Sequence, residues 1–246
     1  MAQQNVFDDE VFFAGYRRLR AAPGNANDLF EIPALFSLLP DLRGKDVLDL
    51  GCGCGEHCRE YVRRGARQVV GIDISEKMLA VARAENADPR VTYRRLPMEE
   101  LGQVDGTFDV VTSSLAFHYV ADFAGLLANV HALLKAGGLL IFSQENPLCT
   151  CHAGGDRWTR DASGRKLHLN LADYGVEGER VVSWLVDGVQ KYHRTFSTIV
   201  NALVAAGFAI EKMLEPLPTA ALLEKWPKHA DLRHKPDFLL VRARKA

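Results

Sequence analysis

The sequence predicts an α/β fold of the doubly wound kind, an open, mostly parallel sheet with helices on both faces. Three observations carry that prediction. The apolar run Val47, Leu48 and Leu50 ends in glycines at alternate positions, Gly51, Gly53 and Gly55, just before a helix-compatible segment that opens at Glu56. A second run, Gln68 to Ile74, places the acidic Asp73 twenty-two positions after Gly51. Strand-like and helix-like segments then alternate through most of the 246 residues, the pattern of parallel strands joined by crossover helices.

The glycine stretch reads as a strand, a tight turn and a helix start. Glycine suits such a turn because it tolerates positive φ and lets a ligand approach the backbone. The spacing is G-x-G-x-G, with Glu56 where a dinucleotide fingerprint carries its third glycine, which disfavours a pyrophosphate cradle and a nicotinamide dehydrogenase. The implied ligand is a nucleoside without phosphates. An acidic side chain about twenty residues past the turn is where these folds hold a ribose diol, so Asp73 is the expected ribose ligand.

Before the first strand, Phe12, Phe13, Tyr16 and Leu19 fit one face of a short helix over residues 6 to 20, broken at Asn25 to Asp28. A second helix is expected from Glu31 to Leu39, burying Ile32, Leu35, Phe36 and Leu39, with Pro40 ending it. Glu56 to Arg64 forms the helix after the turn, its free amides and positive dipole end facing the ligand. Ser75 is a good N-cap for a helix from Glu76 to Glu85.

Short strands follow at Val91 to Arg94 and Thr107 to Ser113. Asp122 caps a helix with the apolar stripe Leu126, Leu127, Val130, Leu133 and Leu134, closed by Lys135 and Gly137. The fifth strand is expected from Leu139 to Ser143. Residues 147 to 194 leave the alternation, contain Trp158, Tyr174, Trp184 and Tyr192, and include a hairpin from Arg180 to Thr195 turning at Asp187 and Gly188. They read as an inserted substrate lid. A helix from Thr195 to Ala206 buries Ile199, Val200, Leu203 and Val204, and strands at Phe208 to Leu214 and Asp237 to Arg242 complete one domain over 1–246, with a helical cap over 1–44.

The segments Val47-Leu-Asp-Leu-Gly-Cys-Gly, Gly71-Ile-Asp-Ile-Ser, Phe108-Asp-Val-Val-Thr-Ser-Ser and Leu134-Lys-Ala-Gly-Gly-Leu-Leu-Ile-Phe together resemble the class I S-adenosylmethionine-dependent methyltransferases. Ser113-Ser-Leu-Ala-Phe-His-Tyr-Val and Lys191-Tyr-His-Arg-Thr resemble a bacterial branch of small-molecule enzymes within them. The resemblance implies a Rossmann-like seven-stranded sheet of order 3-2-1-4-5-7-6 with the last strand antiparallel, and S-adenosyl-L-methionine as cofactor. Around Asp49, Gly51, Cys52, Gly53 and Asp73 it places Tyr16 and Arg20 at the methionine end, Ile74 and Met78 about the adenine, and Ser114 near the reacting methyl. Met98 and Glu99 follow Pro97, which takes the usual aspartate position, and are assigned to the adenine face and amino group. Core packing is the alternative for Tyr16, Ile74 and Met78.

The implied reaction is an in-line displacement on an activated methyl group, so holding the nucleophile against it supplies most of the catalysis, with a base needed where the acceptor loses a proton. His118, Glu145 and His193 are the candidate bases; Asn146, where the branch often has histidine, cannot be one. Tyr119, Trp158, Tyr192 and Arg194 are candidate substrate contacts, with lid packing as the alternative. The expected substrate is a small molecule methylated on nitrogen or oxygen; the competing readings are a cofactor-binding protein without transfer, or an RNA or protein methyltransferase.

A net charge of −1 and the absence of an Asn-Pro-Pro-Tyr motif argue against nucleic acid. The start Met-Ala-Gln-Gln-Asn has no signal-peptide character and no run reaches membrane-spanning length, so a cytoplasmic monomer or homodimer is expected. Five cysteines fit reduced thiols, and the spacing of Cys52, Cys54 and Cys58 with His57 favours apolar packing over a metal site.

Overall fold

The computed structural model describes residues 4–154 and 156–246. The first half comprises α1 (Glu10–Ala21), α2 (Ile32–Ser37), β1 (Asp46–Leu50), α3 (Glu56–Arg63), β2 (Gln68–Asp73), α4 (Glu76–Glu85), β3 (Val91–Arg95), β4 (Phe108–Ser113) and α5 (Phe123–Leu133). It continues with β5 (Leu134–Glu145), α6 (Pro147–Thr150), β6 (Trp158–Arg160), β7 (Lys166–Leu169), β8 (Gly178–Trp184), β9 (Val186–His193), α7 (Phe196–Ala205), β10 (Phe208–Leu214), α8 (Ala220–Lys225) and β11 (Phe238–Lys245).

Seven strands form one sheet in the order β10-β11-β5-β4-β1-β2-β3. The pairs among β1 to β5 are parallel, and β11 runs antiparallel to both β5 and β10. This is the order 3-2-1-4-5-7-6 expected from the resemblance. Both faces are covered, which explains why the strands are apolar without alternation. Along β4, Val111 joins the cluster under α5 and α7 with Leu126, Val130, Ile199 and Leu203, while Val110 joins the opposite cluster with Leu35, Tyr61 and Leu79. The expected caps form: Ser75 Oγ accepts the Met78 N–H and an Asp122 carboxylate oxygen accepts the Gly125 N–H.

Several boundaries differ for identifiable reasons. The second helix begins at Asn27 as a π turn running to Glu31, and the Asn25 side chain accepts the Asp28 N–H at 3.0 Å. The wider turn rotates the face that follows, so Leu35 and Leu38 are buried while Ile32, Phe36 and Leu39 remain half-buried. β5 starts at Leu134 because its pairing with β4 jumps from Phe108↔Leu134 to Val110↔Leu139, a register shift within the strand that takes in Gly137 at φ +70.

The β8–β9 hairpin turns at Leu185, φ +62, with Trp184 paired to Val186. The expected turn residue Gly188, φ +80, lies within β9. The Leu185 side chain lies over Gly15 of α1, where an added Cβ would come within 3.2 Å of it. In α7, Val204 is 59 % exposed, and Ile199 and Leu203 carry the buried face. The helical stretch from α8 through Pro227–Arg233 was not expected; its Leu232 is buried and its His229 Nε2 lies 3.0 Å from the Gly24 carbonyl oxygen. Among the described residues no helix is long and apolar enough to cross a membrane.

Phe142 of β5 stacks on Phe117 with centroids 4.8 Å apart and is fully buried. Phe142→Ala should cost about 3–5 kcal/mol, measured by urea unfolding; a loss below about 1 kcal/mol would show that this stack does not anchor the β4–β5 side of the core.

Candidate functional site

The site is built on the crossing from β1 to α3. Gly51, Gly53 and Gly55 have φ of +69, +53 and +79. A Cβ on Gly51 would lie 2.6 Å from the Ala116 Cβ, whereas one on Gly53 would meet nothing within 4 Å. The backbone thus packs tightly behind Gly51 and leaves open space in front of Gly53. The Gly53 N–H donates to Asp73 Oδ2 at 2.9 Å and the Ser75 N–H to Asp73 Oδ1 at 2.8 Å, so the end of β2 is bound to the turn. Burial raises the Asp73 pKa to about 6, against the pull of those two amides.

A cavity of about 1340 Å³ opens from this turn. Tyr16, Arg20, Gly51, Cys52, Gly53, Asp73, Ile74, Met78, Met98, Glu99 and Ser114 all line it, so the structure brings together eleven of the twelve residues expected around the nucleoside. Asp49 stands apart. It lies beneath the turn at 2 % exposure and accepts from Thr112 Oγ1 at 2.8 Å and Cys58 Sγ at 3.4 Å. Cys54 Sγ lies 3.4 Å from Met78 Sδ.

The same cavity is also lined by His118, Tyr119, Glu145, Trp184, Lys191 and Tyr192. Lys191 pairs with Glu145 Oε1 and lies 4.9 Å from the Trp184 ring centroid. Burial alone would raise the Glu145 pKa, but the facing Lys191 ammonium holds it below the usual carboxylate value. The Glu145 N–H donates to His118 Nδ1 at 3.3 Å, and His118 Nε2 is 4.0 Å from Glu145 Oε1. Burial lowers the His118 pKa to about 4, so the ring is neutral, with its proton on Nε2.

Three other expected site residues are placed elsewhere. His193 is fully buried, with Nδ1 2.8 Å from Thr150 Oγ1 and Nε2 2.9 Å from the Tyr174 carbonyl oxygen. Both ring nitrogens are occupied, and the ring ties β9 to the end of α6 and to Tyr174. Arg194 donates to the carbonyls of Val120 and Ala121 and covers Phe123 at 4.8 Å, fixing the loop after β4. Trp158 lies outside the cavity wall under Lys166, whose Nζ is 4.6 Å from its ring.

Glu31 was missed in the sequence. It is fully buried, lines the cavity, and accepts from Ser114 Oγ at 2.9 Å and Ser143 Oγ at 2.5 Å through Oε1. Oε2 has no hydrogen-bond partner among the described residues. Burial raises its pKa, opposed by the serine hydroxyls and by Arg20. The available signal was one carboxylate inside the apolar run Leu29-Phe30-Glu31-Ile32.

Comparison with known proteins places this arrangement in context. A family described as a methyltransferase domain matches residues 48–142. A Haemophilus influenzae protein of uncharacterised function is 43% identical over 248 residues, covering 98% of this chain and 97% of that one. The crystal structure of an S-adenosylmethionine-dependent methyltransferase from Mesorhizobium loti superposes with a TM-score of 0.81 at 43% identity, covering 92% of this chain and 99% of that one. The ubiquinone biosynthesis O-methyltransferase of Acinetobacter baumannii is 43% identical over 110 residues, and the chain spans only 46% of its length.

Asp49 yields a prediction independent of any ligand. Burial raises its pKa from 3.8 to about 7, against the Thr112 and Cys58 bonds, and the negative Asp73 and Glu31 add to the shift. A carboxyl with a raised folded-state pKa stabilises the fold most when protonated. That contribution is lost as pH rises from the unfolded value through the folded one. Relative to wild type, Asp49→Asn should therefore gain stability between about pH 4 and pH 8, by a difference on the order of 4 kcal/mol. Urea unfolding at several pH values reads it; a pH-independent difference would exclude Asp49 as the titrating group.

Proposed function

The chain belongs to the class I S-adenosylmethionine-dependent methyltransferases, and we propose that it methylates a nitrogen or oxygen atom of a small molecule, with Glu145 accepting the proton that atom loses. The observation that carries the reading is one cavity whose lining includes both the glycine turn with Asp73 and the titratable groups Glu145, His118 and Lys191. Residues 147–194 act as its substrate lid and residues 1–44 as its cap, within a single domain over 1–246.

The residues present fit the cofactor. The open space before Gly53 admits a ligand against backbone, and the unpartnered Glu31 oxygen suits a cationic one. Asp73 has lone pairs left for a ribose diol after taking two amides. Ile74 and Met78 would hold the adenine with Met98 and Glu99, and Tyr16 and Arg20 would hold the methionine end; all six line the cavity. When bound, S-adenosylmethionine supplies a methyl group on a sulfonium, already activated for displacement.

Proton handling falls to this chain. His118 cannot take a proton at Nε2, which already carries one, so it serves as a donor that orients the acceptor. Glu145, kept ionised by Lys191, is the group able to accept a proton as the acceptor's N–H or O–H bond breaks. Tyr119 and Tyr192 flank the acceptor, in agreement with their place on the cavity wall.

Calorimetry with S-adenosylmethionine, then a thermal-shift screen of small amines, phenols and acids with S-adenosylhomocysteine present, tests the reading. Failure to bind either cofactor form would sink it. Asp73→Ala should weaken cofactor binding at least about tenfold, the loss of a charge-assisted hydrogen bond of roughly 1.5–3 kcal/mol; unchanged affinity would remove Asp73 from the ribose.

Glu145→Gln should lower kcat by roughly 10²–10⁴-fold and leave cofactor affinity intact. Lys191→Met removes the cation that depresses the Glu145 pKa, so the acid limb of kcat/KM should move to higher pH. A limb that stays in place would exclude Glu145 as the base.

A further inference from the structure

We infer that Glu31 is the ligand for the α-ammonium group of the cofactor's methionine end, forming with Arg20 a two-point clamp on an α-amino-acid zwitterion. The inference rests on the cofactor reading above and extends it to a side chain from the π turn before α2, outside the glycine turn and β2.

The geometry separates a strut from a ligand. Through Oε1 alone, Glu31 ties the helix to the ends of β4 and β5, accepting the Ser114 and Ser143 hydroxyls. A neutral amide would make the same two bonds without burying a charge, which is costly unless the charge is paired. The second oxygen, Oε2, is buried and without a partner among the described residues, in a side chain that lines the cavity. A buried carboxylate with one satisfied and one open oxygen is suited to a cation that carries N–H donors and arrives with the ligand.

Neighbouring cations do not fill that role. Arg20 also lines the cavity, but its Nη1 is 3.2 Å from both Asn25 Oδ1 and Asp28 Oδ1, and its Nη2 is 3.6 Å from Glu56 Oε2. Among the described residues no group of three or more His, Cys, Asp or Glu side chains could hold a metal ion there. The sulfonium has no proton to donate, so of the cofactor's two cationic centres the ammonium matches an oxygen that lacks a hydrogen bond. Arg20 is left to face the α-carboxylate.

Calorimetric titration with two nucleosides separates the roles. S-Adenosylhomocysteine carries the amino-acid end; 5′-methylthioadenosine lacks it. Glu31→Gln keeps the shape and the serine bonds and should weaken S-adenosylhomocysteine at least tenfold while changing methylthioadenosine less than twofold. Equal losses for both would assign Glu31 to structure alone, and no loss for either would also overturn the inference.

Ser143 does not line the cavity, so Ser143→Ala is a second variant that acts through Glu31 or the Leu115 amide. It should produce a smaller loss with the same selectivity, and decides the matter if Glu31→Gln does not fold. Wild-type protein that binds neither nucleoside would instead refute the cofactor reading itself.

Discussion

The hydrogen bond from the Gly53 amide to Asp73 Oδ2 is the constraint on which the site depends. It joins the turn after β1 to the end of β2, so the two chain segments that must meet a nucleoside are fixed relative to each other before any ligand arrives. The turn can reach Asp73 only because Gly51, Gly53 and Gly55 accept positive φ, and because Ala116 is small enough to pack behind Gly51. Parallel strands pointing the same way then open the cavity at their carboxyl ends, the place where such sheets bind ligands.

Electrostatics follow from that geometry. Asp49, Asp73 and Glu31 are all removed from water around one turn, and burial raises the pKa of each. The three are close enough for Asp73 and Glu31 to add to the shift at Asp49. A protein core gains nothing in stability from such a cluster. It does favour a ligand of positive charge, since a bound cation offsets the cost of ionising the carboxylates. The same negative charge disfavours phosphates, in agreement with a glycine turn that lacks the third glycine of a pyrophosphate cradle.

The nucleoside half was legible because its residues are local. The turn and Asp73 lie twenty-two positions apart, so spacing alone brings those two together, while Ile74 and Met78 were added by the resemblance. The substrate half resisted reading because its walls come from distant segments. Gln4 donates to the Gly188 carbonyl at 2.8 Å and accepts the Gln190 N–H at 2.9 Å, joining the N-terminal segment to β9 across more than 180 positions. Phe12 meets Trp184 at 5.2 Å in the same way. Periodicity gives each helix and strand but not such pairings. The π turn at Asn27–Glu31 shows a second limit, because one extra residue per turn moved the buried face of the helix that follows.

Residue type was a poor guide to proton chemistry, and hydrogen bonding a better one. His118, Glu145 and His193 were all candidate bases, His118 first among them. His193 has both nitrogens engaged by Thr150 and Tyr174, which removes it whatever its pKa. His118 receives the Glu145 amide at Nδ1, and a neutral imidazole that accepts at one nitrogen must donate from the other. Its lowered pKa strengthens that assignment, because a ring that resists a second proton remains a donor through the neutral range. Glu145 has the opposite character: its own backbone fixes the histidine tautomer, and Lys191 keeps its carboxylate charged. One residue at the end of β5 thus fixes the tautomer of its neighbour through its backbone and keeps its own carboxylate charged through Lys191, and the proposed assignment of base and donor rests on that single position.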